Sequence, residues 1–525
     1  MSTNFSIFND IIGPVMRGPS SSHTAASWRI ARVCVDILNE QLKTAIVEFD
    51  ENGAWAANYR EQGTVMGING GLLGIDVIDD RMKYTESLAR ETKLEIRYKI
   101  SSFPTKHTNT IRLSLEGEKG KRIQFIAVSV GGGSFEIQQI DNFQVNIRGN
   151  YFEILIWSKK NGPPEKEIRK SFPKNTPIFQ SSDGNKTLIN VKSPKEISHD
   201  IIKQLKSNSL VQSVNVIKPV LPIVSGNERD LPFNTIDSLL LYAEKKKLDL
   251  GEVGLIYEES ISGLSRSVLI KNMKNIIKII EESIKTGLKG TTYKDRILDQ
   301  QSHFVDKAEK DGRISQNSVV NKIISYVSAI MEAKSAMEVI AANPTAGSCG
   351  TVGGALKALA DNLLSTSDDK VKAYFASGII GVYFAKGPGF SAEEYGCQVE
   401  CGAASGMAAA GIVQLMGGSA REAINAASLA IQNMIGLICD PVADRVEVPC
   451  LGKNISAAMN ALSSATMARS GFDVVIPLEE VIQTVIRVGN QMPACVKCTG
   501  LGGLAITDTS VRIKKQLKKQ NTEIK

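Results

Sequence analysis

Histidine is scarce in this chain. His23, His107, His199 and His303 are all that 525 residues contain, so acid–base work by imidazole has few places to sit. Long apolar runs are missing too. The most apolar, Ala373–Ala385, is 13 residues between Lys372 and Lys386, too short to span a bilayer, so no membrane role is expected. The opening MSTNFSIFNDIIGP has neither a basic segment nor a long apolar core, and no signal peptide is expected. An excess of one charge is also lacking. Of the net +7, +5 lies in the tail Arg512–Lys525, which leaves no case for nucleic acid. The tail reads as a solvated, partly disordered end. A lysine motif for pyridoxal phosphate is absent as well.

What is present is ordinary globular composition, 42% hydrophobic and 22% charged, over a length that suits about three domains. Eight cysteines without a secretion signal point to the reducing cytoplasm and to metal or thiol chemistry rather than disulfides. Cys439 and Cys450 lie eleven residues apart, each beside a helix-stopping proline (Pro441, Pro449), and Cys397 lies 42 residues upstream of Cys439. Three soft sulfur ligands with no fourth nearby suit an iron–sulfur cluster with one iron left open. Buried structural thiols are the alternative, since free cysteine is among the most buried residue types.

From the N-terminus, the turn GPVMRGPSSSHT runs into a helix marked by Trp28, Ile30, Ala31, Cys34, Ile37 and Leu38. Ser20, Ser21, Ser22, His23 and Thr24 gather where first-turn N–H groups are unpaired, which makes a cradle for a carboxylate; simple N-capping accounts for one serine of the three. Four strands follow (AIVEFD, LEIRYKI, TIRLSL, IQFIAVSV), with a helical stretch from Thr64 to Leu73 and a glycine run at 131–133. That run reads as a flexible turn, or as a place where backbone approaches a ligand. The next stretch reads β-α-β-β-α-β, a ferredoxin-like order, with Ser193-Pro194-Lys195-Glu196 as a capping box. After the polar linker SGNERDLP the pattern is helical: an amphipathic helix over 265–287 ended by Gly287, another over Val319–Ala341, and an Ala/Gly-rich core helix in Cys401–Gly418.

The motifs GPSSSHT (18–24), HTNTIRL (107–113), SVGGGSF (129–135), NPTAGSCG (343–350), EYGCQ (394–398), LICDPVADRVEVPC (437–450) and LGGLA (501–505), in that order, resemble the iron–sulfur-dependent L-serine dehydratases over nearly the whole chain. The resemblance implies a multidomain chain: an α/β β-chain-like domain at 1–144, an ACT-like α+β domain at 145–222, a linker at 223–233, an all-helical α-chain-like domain at 234–510, and the basic tail at 511–525. It implies a 4Fe–4S cluster on Cys397, Cys439 and Cys450, and conversion of L-serine to pyruvate and ammonia. Ser20, Ser21, Ser22, His23, Thr24, His107, Asn109, Thr345 and Gly347 are then expected to bind substrate. A cytoplasmic homodimer is the expected assembly. The alternatives are a related lyase acting on L-cysteine or L-threonine, and a weakly active amino-acid sensor.

Three departures from the family pattern stand out. Gln62 of Glu61-Gln62-Gly63-Thr64 occupies the place of a family histidine, which makes His23 the first candidate base, with Ser22 and Thr64 as further catalytic candidates. Cys498-Thr499 stands where the family has Glu-Thr, and Cys495-x-x-Cys498 reads as a zinc half-site or redox pair, while Cys349, Cys401 and Cys495 read as packing thiols. The ACT-like segment lacks the acidic-residue and glycine loop that binds an amino acid, which favours an interface or scaffold role.

Overall fold

The structure is a computed structural model that describes residues 4–522 except 160, 161, 164, 227, 294, 295 and 317. An α/β region carrying two sheets precedes a helical region. The first sheet has, in spatial order, the strands Glu95–Ser101, Leu42–Asp50, Thr110–Gly117, Arg122–Gly131, Ser134–Ile140 and Phe143–Ile147. Leu42–Asp50 runs parallel to Glu95–Ser101 and antiparallel to Thr110–Gly117. Period-two alternation turns Ile111, Leu113 and Leu115 inward, into one core with Ile30, Cys34 and Ile37 of the helix Ala26–Leu38. The last two strands extend the sheet beyond the four read from sequence. The glycine run at 131–133 is a tight hairpin rather than a loose turn, since all three residues have positive φ. The segment that comes close to Gly131 is another stretch of backbone: it bridges to Phe390, and a Cβ there would lie 2.9 Å from the Ser391 nitrogen.

The second sheet orders Val211–Ile217, Phe152–Lys159, Lys186–Ser193 and Ile178–Ser182, all antiparallel, with short helices at Glu165–Arg169 and His199–Ser207. The β-α-β-β-α-β order read from sequence is therefore present. The capping box is not. Ser193 is still paired with Phe152 in the ladder, and Ser198 caps the helix instead, accepting from the Ile201 N–H at 3.4 Å.

In the helical region Cys401–Leu415 is buried from Cys401 to Val413 and packs against Ser367–Lys386, Cys349–Asn362, Ala420–Gln432 and Cys450–Arg469. Its alanines and glycines let neighbouring backbones approach, which the sequence reading expected. Two helix ends differ from expectation. Arg266–Lys289 runs through Gly287, where a Cβ would meet the Ala329 carbonyl oxygen at 2.0 Å, so this glycine permits close packing instead of stopping the helix. Val319–Ser335 stops early, and Ile340–Ala341 forms a short strand. The tail is helical from Asp508 to Thr522, where disorder was expected, and Lys514 pairs with Asp444; Glu523 and Lys525 lie outside the described residues. Among the described residues no helix is long and apolar enough to cross a membrane.

The N-terminal segment laces the two regions together. Ile7 and Ile11 face Gly378 and Gly381 of Ser367–Lys386, where added Cβ atoms would lie 2.7 and 2.2 Å from them. Glu258 accepts from the Ser6 hydroxyl at 2.6 Å and the Ile7 N–H at 2.7 Å. Val15 and Met16 then pair with Ala341 and Ile340, which carries the Ser20–Thr24 turn to the loop that follows residue 342. Burial pushes the Glu258 carboxyl up to about 7, against the bonds from Ser6 and Ile7. A carboxyl raised in the folded chain costs nothing while both states are protonated. It lowers stability as pH climbs from 4.5, the ordinary value at which the unfolded chain ionises, to about 7. That gap is worth about 3 kcal/mol. Thermal midpoints should therefore fall across this range, and Glu258→Gln should shrink the fall; a variant whose midpoints track the wild type would remove Glu258 as its source.

Candidate metal centre and active site

Ten residues, Ser391–Glu400, organise the site. Ala392–Tyr395 is one short helical turn, broken at Gly396 (φ 77°), after which the chain turns so that Cys397 is buried. Gln398 then staples three segments. Its amide donates to the carbonyls of Tyr395 (2.9 Å) and Val485 (3.1 Å), and its oxygen accepts from the Gly436 N–H (3.0 Å). Its own N–H donates to the Leu437 carbonyl at 3.0 Å, which sets Cys439 beside Cys397. The ligand atoms of Cys397, Glu400 and Cys439 lie within 4.8 Å of one another, a set able to converge on a metal.

Cys450 stands outside that tight group, at the first turn of Cys450–Arg469, and its thiol senses Cys397. Lys453, one turn on, ties the two segments by donating to the Ile438 carbonyl (2.7 Å) and Asp440 Oδ1 (2.6 Å). Asn454 donates to the carbonyls of Gly347 (2.8 Å) and Cys450 (2.9 Å) and accepts from the Thr351 N–H (3.1 Å). The starts of three helices, at Cys349, Cys401 and Cys450, are thereby held together, and helix N-termini favour negative charge. Burial pushes the Cys450 thiol up to about 12 despite the nearby Lys334 and Lys453. Contacts with the thiols of Cys397 and Cys498, and then burial, raise Cys439. An uncharged thiol set buried this deeply gains from a cation that takes the thiolates.

At the other end of the loop, Glu393 Oε1 accepts from the Ser22 hydroxyl at 3.1 Å and lies 3.7 Å from His23 Nδ1. His23 is fully buried. Its Nε2 faces Asn58 Oδ1 at 2.9 Å, and Nδ1 faces the hydroxyls of Ser20 and Ser22, each at 3.1 Å. With an amide oxygen at Nε2, that nitrogen carries the hydrogen and Nδ1 keeps the lone pair. Burial lowers the His23 pKa against the opposing pull of Glu393 and Asn58.

The other expected site residues fall into three groups. Ser21 accepts from the Ala346 N–H at 3.3 Å, joining the serine turn to the 343–350 loop, and Thr345 donates to Glu400 Oε1 at 2.6 Å beside Gly347. Thr64 and Asn109 are buried with unpaired side-chain polar atoms, as are Ser129 and Asn343. Native interiors leave few such atoms, and a polar ligand would pair with them. Thr24 donates to the Gln62 carbonyl at 3.3 Å and His107 accepts from the Asn109 N–H at 3.0 Å, so both are engaged within the protein. Glu393, Glu400 and Asn58 escaped the sequence reading as site members. Glu400, three residues after Cys397, was the most findable. Burial pushes its carboxyl up to about 7 against the Thr345 bond. Cys498 is buried against Cys439, while Cys495 is exposed.

A family model described as the serine dehydratase alpha chain matches residues 192–505. The probable L-serine dehydratase alpha chain of Bacillus subtilis is 32% identical over 285 residues, covering 54% of this chain and 95% of its own length. The probable beta chain of the same organism is 38% identical over 147 residues, covering 28% and 66%. L-serine dehydratase 1 of Escherichia coli is 30% identical over 283 residues, covering 52% and 62%.

Gln398 supplies the most direct test of the geometry. Gln398→Ala leaves two carbonyls and one N–H unpaired, a loss of about 3 kcal/mol. The backbone bond to Leu437 survives, but the segment that carries Cys439 loses its anchor at the Gly436 N–H, so metal retained after anaerobic reconstitution should drop by more than half while the circular dichroism stays helical. Full metal retention in this variant would mean that the staple does not set the centre.

Proposed function

The chain belongs to the serine dehydratase alpha-chain family, and on that footing we propose that it is an iron–sulfur enzyme that eliminates water from L-serine to give pyruvate and ammonia. One observation carries this reading: the loop Ser391–Glu400 touches Ser22 and His23 through Glu393 and the thiol set through Cys397. The donor set suits a cluster, since buried thiolates select iron–sulfur centres or zinc. Cys397, Cys439 and Cys450 would hold a 4Fe–4S cluster. When bound, an iron with an open position supplies a Lewis acid that polarises the serine hydroxyl.

The residues of the chain do the rest. The serine carboxylate belongs at the turn Ser20–Ser22, where the helix start offers unpaired N–H groups and hydroxyls. Asn58 holds His23 with its lone pair on Nδ1, and burial keeps the imidazole neutral and so able to take a proton there. Both nitrogens are occupied by neighbours, so the α-proton reaches Nδ1 by way of a hydroxyl that faces it, that of Ser20, or that of Ser22 once its hydrogen turns from Glu393. Glu400, whose carboxyl burial pushes up to about 7, is partly protonated at neutral pH and is placed to give a proton to the departing hydroxide. The aminoacrylate product tautomerises and hydrolyses in water. The middle unit is read as ACT-like from its strand and helix order, in a scaffold role. Serine is preferred over cysteine, threonine and a sensor role because the relatives compared carry serine dehydratase names.

Anaerobically reconstituted wild type should contain iron and sulfide and form pyruvate from serine. Cys397→Ser, Cys439→Ser and Cys450→Ser should each lose both properties. His23→Ala should keep its iron and lose about 10²–10⁴-fold in kcat. Loss of iron in the His23 variant would overturn the division of labour, and sulfide release from cysteine outpacing pyruvate formation from serine would favour the rival substrate.

A further inference from the structure

Two lysines are buried among the described residues, Lys192 at 6% exposure and Lys334 at 0%. Lys192 has a carboxylate, Glu153, at 2.7 Å. Lys334 does not. Its ammonium donates to the Val446 carbonyl and pairs with no carboxylate among the described residues. An ammonium taken out of water is costly, and buried charges are as a rule paired.

The place of this charge shows what could answer it. Lys334 lies on the same face of Val319–Ser335 as Met331 and Val327, one and two turns back. That face abuts the start of Cys349–Asn362: a Cβ on Gly350 would meet the Met331 Cγ at 2.9 Å, and one on Gly354 the Val327 Cγ2 at 2.5 Å. Val446, which the ammonium reaches, stands four residues before Cys450. Burial raises the thiols of Cys349 and Cys450 and the Glu400 carboxyl, and the charge of Lys334 opposes it at all three. These three residues open or precede the helices that begin at Cys349, Cys401 and Cys450. Helix N-termini are positive ends. A buried ammonium and three such ends therefore gather together, which is unfavourable alone and favourable around an anion. The C-terminal end of Lys334's own helix offsets it by only about half an elementary charge. Glu400 is bonded to Thr345 at 2.6 Å and forms no ion pair with Lys334. Lys453, the other lysine beside the thiols, has Asp440 at 2.6 Å and so brings no net charge.

We propose that Lys334 is the buried counter-charge of the metal centre, balancing the net negative charge of the thiolate-bound cluster and raising its reduction potential. This rests on the metal-centre reading above. Three thiolates outweigh an oxidised 4Fe–4S core by about one unit of charge, and net charge is one of the properties that set a cluster's potential. Reduction adds a further negative charge, which a nearby cation favours. Lys334 thus acts on the centre as a positioning and charge-balancing residue.

The test is a redox titration of the full chain, reconstituted anaerobically, with iron and sulfide measured in each sample. Lys334→Gln keeps an amide donor for Val446 but removes the charge. Its midpoint potential should fall by at least about 59 mV, which is a tenfold change in a one-electron equilibrium. Lys334→Met, close to lysine in shape, should fall by a similar amount, and Lys334→Arg, which keeps the charge, should stay near wild type. If the Gln and Met variants keep their helical circular dichroism yet hold no iron while Arg holds it, retention in place of potential supports the counter-charge. If all three lose iron, Lys334 serves packing and the inference falls. If the Gln and Met variants load fully and keep the wild-type potential, Lys334 only holds the Val446 carbonyl, and the inference falls while the metal-centre reading stands. If wild type itself forms no cluster, both fall.

Discussion

A single carboxamide sets the geometry on which the rest of the site depends. Gln398 bonds at once to Tyr395, Val485 and Gly436, and its own N–H to Leu437, so that two loops far apart in sequence present their cysteines to one point. Cysteine side chains are short, and their sulfurs cannot converge unless the backbones converge first. Lys453 and Asn454 play the same part for Cys450, and the bridge from Cys439 to residues 496–498 does so for Cys498. Amides, carbonyls and one ammonium gather the sulfurs, and the thiols contribute little to holding themselves in place.

The second requirement is that an α/β surface close over this point. Among the described residues, no helix of the helical region brings a histidine to it; His23 arrives from the α/β region through the laced segment at residues 6–16. The lacing works because Gly378 and Gly381 leave room for Ile7 and Ile11, and because Glu258 accepts from the Ser6 hydroxyl and the Ile7 N–H. Glu393 then spans the junction to Ser22. The base and the thiol set therefore keep their separation through a loop of ten residues, and motion of either region about the junction would be felt at that loop first.

Much of the fold was legible in the sequence because it follows from local pattern. Alternation gave four strands of the larger sheet, 3.6-residue periodicity gave the amphipathic helices, and the alanine-rich run was placed in the core. The misses lie where a distant partner decides. Gly287 looked like a helix stop, but the close approach of Ala329 makes it an interior residue. Ser193 looked like a cap, but its ladder partner Phe152 keeps it in a strand. At the site, the serine turn and the three cysteines were legible from motifs. Glu393 and Asn58 were not, because their roles come from contacts between residues 35 to 440 positions apart, which no spacing records.

The site is also where the chain departs from its own rules of good packing. Thr64, Asn109, Ser129 and Asn343 keep unpaired buried polar atoms, and Ala443, Asp444 and Cys498 are held at positive φ. Each unpaired group costs about 1–3 kcal/mol and each strained residue a similar amount. The helical core, with the whole of Ala403–Val413 buried and in close contact with its neighbours, is what can sustain such a deficit. On the proposed reading, a polar ligand such as an amino acid that pairs with those orphaned atoms would recover part of it, and its binding energy would come from groups the protein leaves unsatisfied by itself.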